Sequence, residues 1–292
     1  MKKFLFNLSI FLSLVLIFNY VLYIFYKNEY ISGYNLIPKK DFTTFIFADS
    51  HGLPLKNYTE KYNAFNFSAG SESYFDIKRK ITYLIDNNYI IKKVYLSIDN
   101  HTLSKYRENS NNSDRSVFYE TKKDFDNYFS YLKNRYLIYY GVIFQPKIRS
   151  IFKLFLYKKT ISFLKKEIPE NLVEKNWKDL SNSEKDKSSK ARYLIQFPTK
   201  NNSQLLSNTL IEIIKLSKEH NFNLIGIKFP LSRSYIETLN NSNYGADKIF
   251  LKNNLPILDY EDLFINKDEF FENQDHLNAP GGEQFSKTLL TN

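Results

Sequence analysis

From Phe4 to Tyr26 the chain carries no charged residue. As a helix this segment is long enough to cross a hydrocarbon layer of ~30 Å. A helix that is apolar on every side needs a lipid phase or the centre of a large core. Met1-Lys2-Lys3 supplies a positive flank, which predicts a cytoplasmic N-terminus with everything after Lys27 beyond the membrane. A cleaved signal peptide is the competing reading. Its apolar region is usually ~7–15 residues and ends at a small-x-small site. Here the run is longer and closes on Tyr20, Tyr23, Phe25 and Tyr26. The expected organisation is therefore a signal anchor at 1–27, a polar linker at 28–41 and one domain over 42–292.

That domain reads as strands alternating with helices. Phe42–Phe47, Ala64–Phe67, Lys93–Ile98, Asn223–Phe229 and Leu255–Leu258 are short apolar or β-branched runs bounded by turn residues. Tyr74–Asn87 and Gln204–His220 carry apolar residues at helical spacing, and a terminal helix is expected over Gly281–Leu290. The alternation predicts an α/β fold with a parallel, doubly wound sheet. Residues 104–200 interrupt the pattern and are read as an insertion. It holds a helix near 121–135, a basic aromatic stretch at 133–166 and a solvated polar run at 181–190.

Charge and composition narrow the function. The net charge is +10, and from Lys133 to Lys166 there are nine basic residues and no acidic one. A nucleic-acid arm would need a recognisable binding module, and none accompanies it. The stretch predicts contact with an anionic membrane surface; an ordinary helical subdomain with a solvated face is the alternative. Its longest apolar run, Tyr136–Phe144, is about half of a second span. With no cysteine and four histidines there is no disulfide or thiolate site and little material for a metal cluster. No metal and no organic cofactor is expected.

The chemistry-bearing residues lie at the two ends of the domain. Phe45-Ile46-Phe47-Ala48-Asp49-Ser50-His51-Gly52 is an apolar strand running into a polar turn. Ser50 therefore sits at the C-terminal end of a strand, where open α/β sheets place their ligands. Asp275-His276-Leu277-Asn278-Ala279-Pro280-Gly281-Gly282 puts a histidine beside a carboxylate before the terminal helix. Serine, histidine and acid are the parts of a nucleophilic hydrolase or acyltransferase, and they meet in space whatever their sequence distance.

With these segments in order, the chain resembles the SGNH/GDSL hydrolase superfamily. The resemblance implies a three-layer α/β/α flavodoxin-like fold and four sequence blocks. Ala48-Asp49-Ser50 matches the first, with Ser50 as nucleophile. Gly70 matches the second and Asn100 the third, both as oxyanion-hole donors. His276 matches the histidine of the last block. The phrase Asp-His-Leu-Asn before glycine looks like membrane-anchored bacterial members linked to envelope polysaccharides, including relatives of alginate-type O-acetyltransferases. The implied activity is an esterase or O-acyltransferase acting on a cell-envelope glycan or glycolipid. Its domain would be extracytoplasmic, on a single-pass anchor in the bacterial cytoplasmic membrane. A polysaccharide-assembly protein or a multi-span acyltransferase would be its partner.

The departures are specific. Ala48 stands for glycine, and the glycine usual two residues before Asn100 is missing. Asn273 stands three residues before His276, where the family has aspartate. Either Asn273 or Asp275 is then left to orient His276. Adjacent side chains usually diverge, so Asn273 is expected to face the ring and Asp275 to turn away. Loss of the acid also suggests a second reading, a catalytically decayed scaffold or glycan-binding module.

Plainer roles remain open for each residue. Ser50 could be a helix N-cap, Gly70 a turn glycine with positive φ and Asn100 a turn residue. Asp49 is read as a structural residue of the turn. His51 and His101 are read with it as polar rim residues of the pocket. His220, late in a helix, is explained by the helix dipole.

Overall fold

A computed structural model describes residues 1–291 apart from 126, 146 and 165–175. In chain order the regular elements begin with helix α1 (Lys2–Phe25), strands β1 (Thr44–Phe47) and β2 (Ala64–Asn66), helix α2 (Tyr74–Asp86) and strand β3 (Lys93–Ser97). Helices α3 (Lys105–Asn109), α4 (Ser113–Ser116), α5 (Tyr128–Leu132), α6 (Ile148–Leu164), α7 (Asn182–Gln196) and α8 (Gln204–Glu219) follow. Strand β4 (Asn223–Lys228), helices α9 (Arg233–Leu239) and α10 (Ala246–Lys252), strand β5 (Ile257–Asp259) and helix α11 (Ala279–Thr291) complete the chain. Two compact units result, one of residues 1–36 with 114–173, the other of 37–113 with 174–292.

The second unit is α/β, built on a five-stranded sheet of order β2-β1-β3-β4-β5 in which every ladder is parallel. Each expected strand is present, with its ends moved by one or two residues. The strands read as continuous apolar runs because both faces are covered. Ile46 of β1 and Ala48 just after it join a core with Phe285 and Leu289 of α11. Phe45 and Phe47 point the other way, where Phe47 stacks on Phe67 at 5.6 Å. The chain leaves β1 for β2 on one side and then crosses to β3 on the other. That reversal opens a crevice at the C-terminal ends of β1 and β3, the preferred ligand position in such sheets.

Helix α2 opens with a capping box between Ser73 and Asp76, and α8 with the Ser203 side chain on the Leu206 N–H. Helix α7 is an addition to the sequence reading: the polar run 181–190 is largely solvent-exposed, as expected, but it forms the cap and start of a helix. Its buried side chains are Lys185, Ser189 and Gln196, so hydrophobic periodicity could not reveal it. Its start was nevertheless written in the sequence as Ser181-x-x-Glu184, a reciprocal capping box. Helix α11 begins two residues earlier than expected, so the pair Gly281-Gly282 sits inside its first turn. A Cβ at Gly282 would lie 2.1 Å from the Pro54 carbonyl oxygen, and one at Gly281 would lie 2.3 Å from that of Phe270. These glycines let the helix approach two backbones closely, which locks the Ser50 turn to the His276 loop.

In the first unit, α1 is long and apolar enough to cross a membrane. Its residues are exposed as far as Val21, apart from partly covered Val15 and Asn19. It continues through a π-helical turn over Tyr26–Tyr30. Leu22 and Tyr26 pack in a cluster with Ile31, Tyr139, Val142 and Ile151. The helix expected near 121–135 is broken into a 3-10 turn at Lys122–Asp124, α5, and a π-helical turn at Lys133–Ile138. Residue 126 of that region, and residues 146, 165 and 166 of the basic stretch, lie outside the described residues.

Candidate active site

Ser50 opens a short 3-10 turn, Ser50–Leu55, directly after β1. The N-cap is Asp49, whose carboxylate accepts the His51 N–H at 3.0 Å, so Ser50 is not the cap residue. As the first residue of the turn, Ser50 has a backbone N–H that no intrahelical carbonyl can take. His276 sits in a tight loop closed by an antiparallel bridge between Phe271 and Leu277 and by the Glu272 N–H on the His276 carbonyl at 2.9 Å.

The serine and histidine, 226 positions apart, meet at 2.7 Å between Ser50 Oγ and His276 Nε2. On the far side of the ring, Asn273 Oδ1 lies 2.9 Å from His276 Nδ1. The same oxygen accepts the N–H groups of Asp275 at 3.2 Å and His276 at 3.0 Å. Backbone N–H groups only donate, so they fix which end of the Asn273 amide faces the ring. Nδ1 therefore carries the proton, and Nε2 presents its lone pair to the serine hydroxyl.

Asp275 does not turn away as expected. Its Oδ1 is 3.1 Å from His276 Nδ1, so amide and carboxylate share the orienting position. Asp275 is 1% exposed and is held from several sides. Arg192 Nε donates to it at 2.7 Å, Gln196 at 3.0 Å and Gln274 at 2.9 Å. Burial alone would raise this carboxyl, but the charge and hydrogen bond of His276, with those of His51, hold it well below the usual range.

Asp49, His51 and His101 are not rim residues. They are 4%, 2% and 3% exposed and form a buried layer behind the pair. His51 Nδ1 donates to Asp99 at 2.8 Å and its Nε2 to Asp275 at 3.4 Å. Burial opposes a charge on this ring, but Asp49 and Asp99 nearby, with the bonds to Asp275 and Asp99, hold it well above an ordinary histidine. It is an imidazolium tying two carboxylates together. His101 Nε2 donates to Asp49 at 3.0 Å, and Arg107 joins the same carboxylate at 3.1 Å. Burial lowers His101. Burial would raise Asp49, but the charges of His51 and Arg107 and the bond from His101 keep it well below the usual carboxylate.

Two triplets, Asp49/His51/His101 and His51/Asp275/His276, are close enough to suggest a metal. Their donors do not fit one. Both His51 nitrogens are spent on carboxylates, and Asp49 and Asp275 already carry the guanidinium groups of Arg107 and Arg192. A cation there would face fixed positive charge. The arrangement is a hydrogen-bonded support for the Ser50–His276 pair.

Gly70 and Asn100 part company. Gly70 follows β2, and a Cβ there would touch only Leu53, at 3.7 Å. Its φ is not positive; Ser71 carries the left-handed turn. Asn112 fixes its carbonyl at 2.8 Å. Leu53, the side chain that Cβ would touch, lines the Ser50 cleft. Asn100 is a correction. Its side-chain amide bonds Glu261, after β5, so it leans across the end of β4 and away from β1. The residue of its block that enters the support layer is Asp99, which accepts from Ser97, His51 and the Phe229 N–H.

Sequence reasoning missed Asp99, Arg107, Arg192 and Gln196. The last two come from α7, so the missed helix hid them; the capping box was the signal that could have found it. The cleft itself, about 530 Å³, is lined by Ser50, Leu53, Pro54, Lys56, Glu272, Asn273 and His276–Ala279. A polar cleft of about 330 Å³, with Trp177 and Lys178, shares Glu272 and Asn278 with it. Comparison of the chain with protein-family models and with curated proteins gives no match.

Proposed function

We propose that the protein is a membrane-anchored SGNH-type serine esterase or O-acyltransferase acting on a cell-envelope glycan or glycolipid. The observation that carries this reading is the 2.7 Å contact between Ser50 Oγ and His276 Nε2, with Nδ1 held by acceptors on the other side. The strand order supports the finer fold expected from the resemblance, a three-layer α/β/α flavodoxin-like sheet with Ser50 at its switch point.

In the reaction, His276 Nε2 takes the Ser50 proton as Oγ attacks an ester carbonyl. The N–H groups of Ser50 and Gly70 face the developing oxyanion. The imidazolium returns its proton to the leaving alkoxide, and an acyl-serine remains. Water then gives hydrolysis; a sugar hydroxyl gives transfer. The polar continuation of the cleft past Glu272 and Asn278 suits a polyhydroxylated acceptor. Asp275 stabilises the imidazolium and Asn273 fixes the tautomer.

Helix α1 serves in this proposal as a single-pass anchor in the bacterial cytoplasmic membrane. The lysines at its start keep the N-terminus cytoplasmic and place the α/β unit outside. A polysaccharide-assembly protein or a multi-span acyltransferase is the partner class that such a site would serve. Asn273 in place of the family's aspartate favours a second reading, a silent scaffold or glycan-binding module.

Aryl-acetate turnover by the full-length protein in detergent separates the two. The enzyme reading expects turnover that disappears in Ser50→Ala and His276→Ala, with acetyl gain on added oligosaccharide if transfer competes with water. Turnover equal in wild type and Ser50→Ala would leave only the scaffold.

A further inference from the structure

The apolar helix carries two amides within its span, Asn7 and Asn19, and Asn19, towards the far end, reaches across to another segment. Its Nδ2 donates to the Tyr140 carbonyl at 3.0 Å, and its Oδ1 accepts the Ile143 N–H at 3.4 Å. In hydrocarbon an unanswered backbone group is expensive, so non-helical chain enters only where its peptide groups are satisfied. Here Asn19 answers two of them. The 140–143 turn therefore sits about 23 Å along α1 from Phe4, close to the end of a ~30 Å layer.

Two described rings of the basic aromatic stretch meet the helix one to two turns beyond Asn19. Tyr140 packs on Tyr23 at 5.4 Å, and Phe155 of α6 meets Phe25 edge-on at 5.2 Å. Outward-facing Leu137, Tyr140, Phe144 and Leu156 are 48–58% exposed. Lys133, Arg149 and Lys153 are exposed among them. No acidic residue interrupts the stretch. Aromatic rings with cations at the end of a span are what the headgroup region selects.

We infer that residues 133–157 form an interfacial collar around the end of α1, seated at the headgroup–acyl boundary and holding anionic lipid headgroups. Tyr140, Phe144 and Leu156 enter the boundary, and Lys133, Arg149 and Lys153 meet lipid phosphates. This inference rests on the anchor reading of α1.

The chain has no cysteine, so single nitroxide labels can be placed at Leu137, Phe144 and Leu156 of the full chain without further changes. A label at Leu12 marks mid-span. In vesicles containing phosphatidylglycerol, the collar labels should show oxygen and nickel-chelate accessibilities between those of Leu12 and of free label in water. In phosphatidylcholine alone they should be shallower, and Lys133→Glu with Lys153→Glu should remove that difference. Collar labels with aqueous accessibility beside an acyl-buried Leu12 would overturn the collar and leave the anchor standing. An aqueous Leu12 would overturn both. Depth independent of lipid charge would overturn the headgroup role.

Discussion

Asp275 reaches the ring of the residue that follows it: its Oδ1 lies 3.1 Å from His276 Nδ1, while Asn273 Oδ1 lies 2.9 Å from the same nitrogen. In the proposed reaction the two orienting functions of a triad acid would thereby be divided. The amide, pinned by two backbone N–H groups, fixes the tautomer. The carboxylate, buried under Arg192, supplies the charge.

Asp275→Asn should therefore cost activity. With Asn273 still fixing the tautomer, the loss in kcat should be about 10- to 100-fold, less than the ~10⁴ of a triad that loses its only orienting residue. Asn273→Ala should cost a comparable amount through a freed ring. Steady-state kinetics on an aryl acetate measure both. A kcat unchanged in Asp275→Asn would mean that the carboxylate only builds the loop.

Arg192→Met should destabilise the fold by about 2 kcal/mol, the scale of a lost hydrogen bond to a charged group. It leaves the Asp275 carboxylate short of its guanidinium. Urea or thermal unfolding of the detergent-solubilised protein gives the value. Wild-type stability in this variant would mean that Gln196, Gln274 and His51 suffice.

Stability should depend on pH through the buried layer, with opposite signs for its members. His51 is raised above its unfolded value of about 6.5. Its contribution is complete below that pH and is lost as pH rises towards the folded value. Asp49 and Asp275 are lowered; their contributions are complete above about 3.9 and are lost as pH falls through their folded values. His101 is lowered, so its neutral, buried form adds an acid-side loss that begins below about 6.5. Tm between pH 6.5 and 8.5 should fall more steeply for wild type than for His51→Gln. Parallel curves would refute the imidazolium assignment. Asp49, Asp99, Asp275, His101 and His276 all face this ring, so the comparison is made against the variant and not against a buffer baseline.

Asn100→Ala should leave the rate within about threefold. Its amide is committed to Glu261, whereas removing a true oxyanion donor costs about 10²–10³. A loss of that size would restore Asn100 to the hole.

The sheet was legible because each strand is an apolar run with a turn behind it. Ser50 and His276 were legible because their loops follow those patterns. The support layer was not. His51 and His101 looked like rim residues because a histidine beside a turn carries no mark of burial. What buries them is Asp49, Asp99 and Arg107, brought in from separate elements. Arg192 and Gln196 were hidden because α7 buries polar side chains, so no apolar stripe announced it. Asn100 was misjudged because position after a strand says nothing about which neighbour its side chain will bond.

The most direct test of the central claim is covalent. The full-length protein is treated with a fluorophosphonate and its peptides are mapped by mass spectrometry. A nucleophilic Ser50 predicts an adduct on Ser50, none in Ser50→Ala and slow labelling in His276→Ala. A folded wild type without an adduct, or an adduct on another serine that persists in Ser50→Ala, would contradict it.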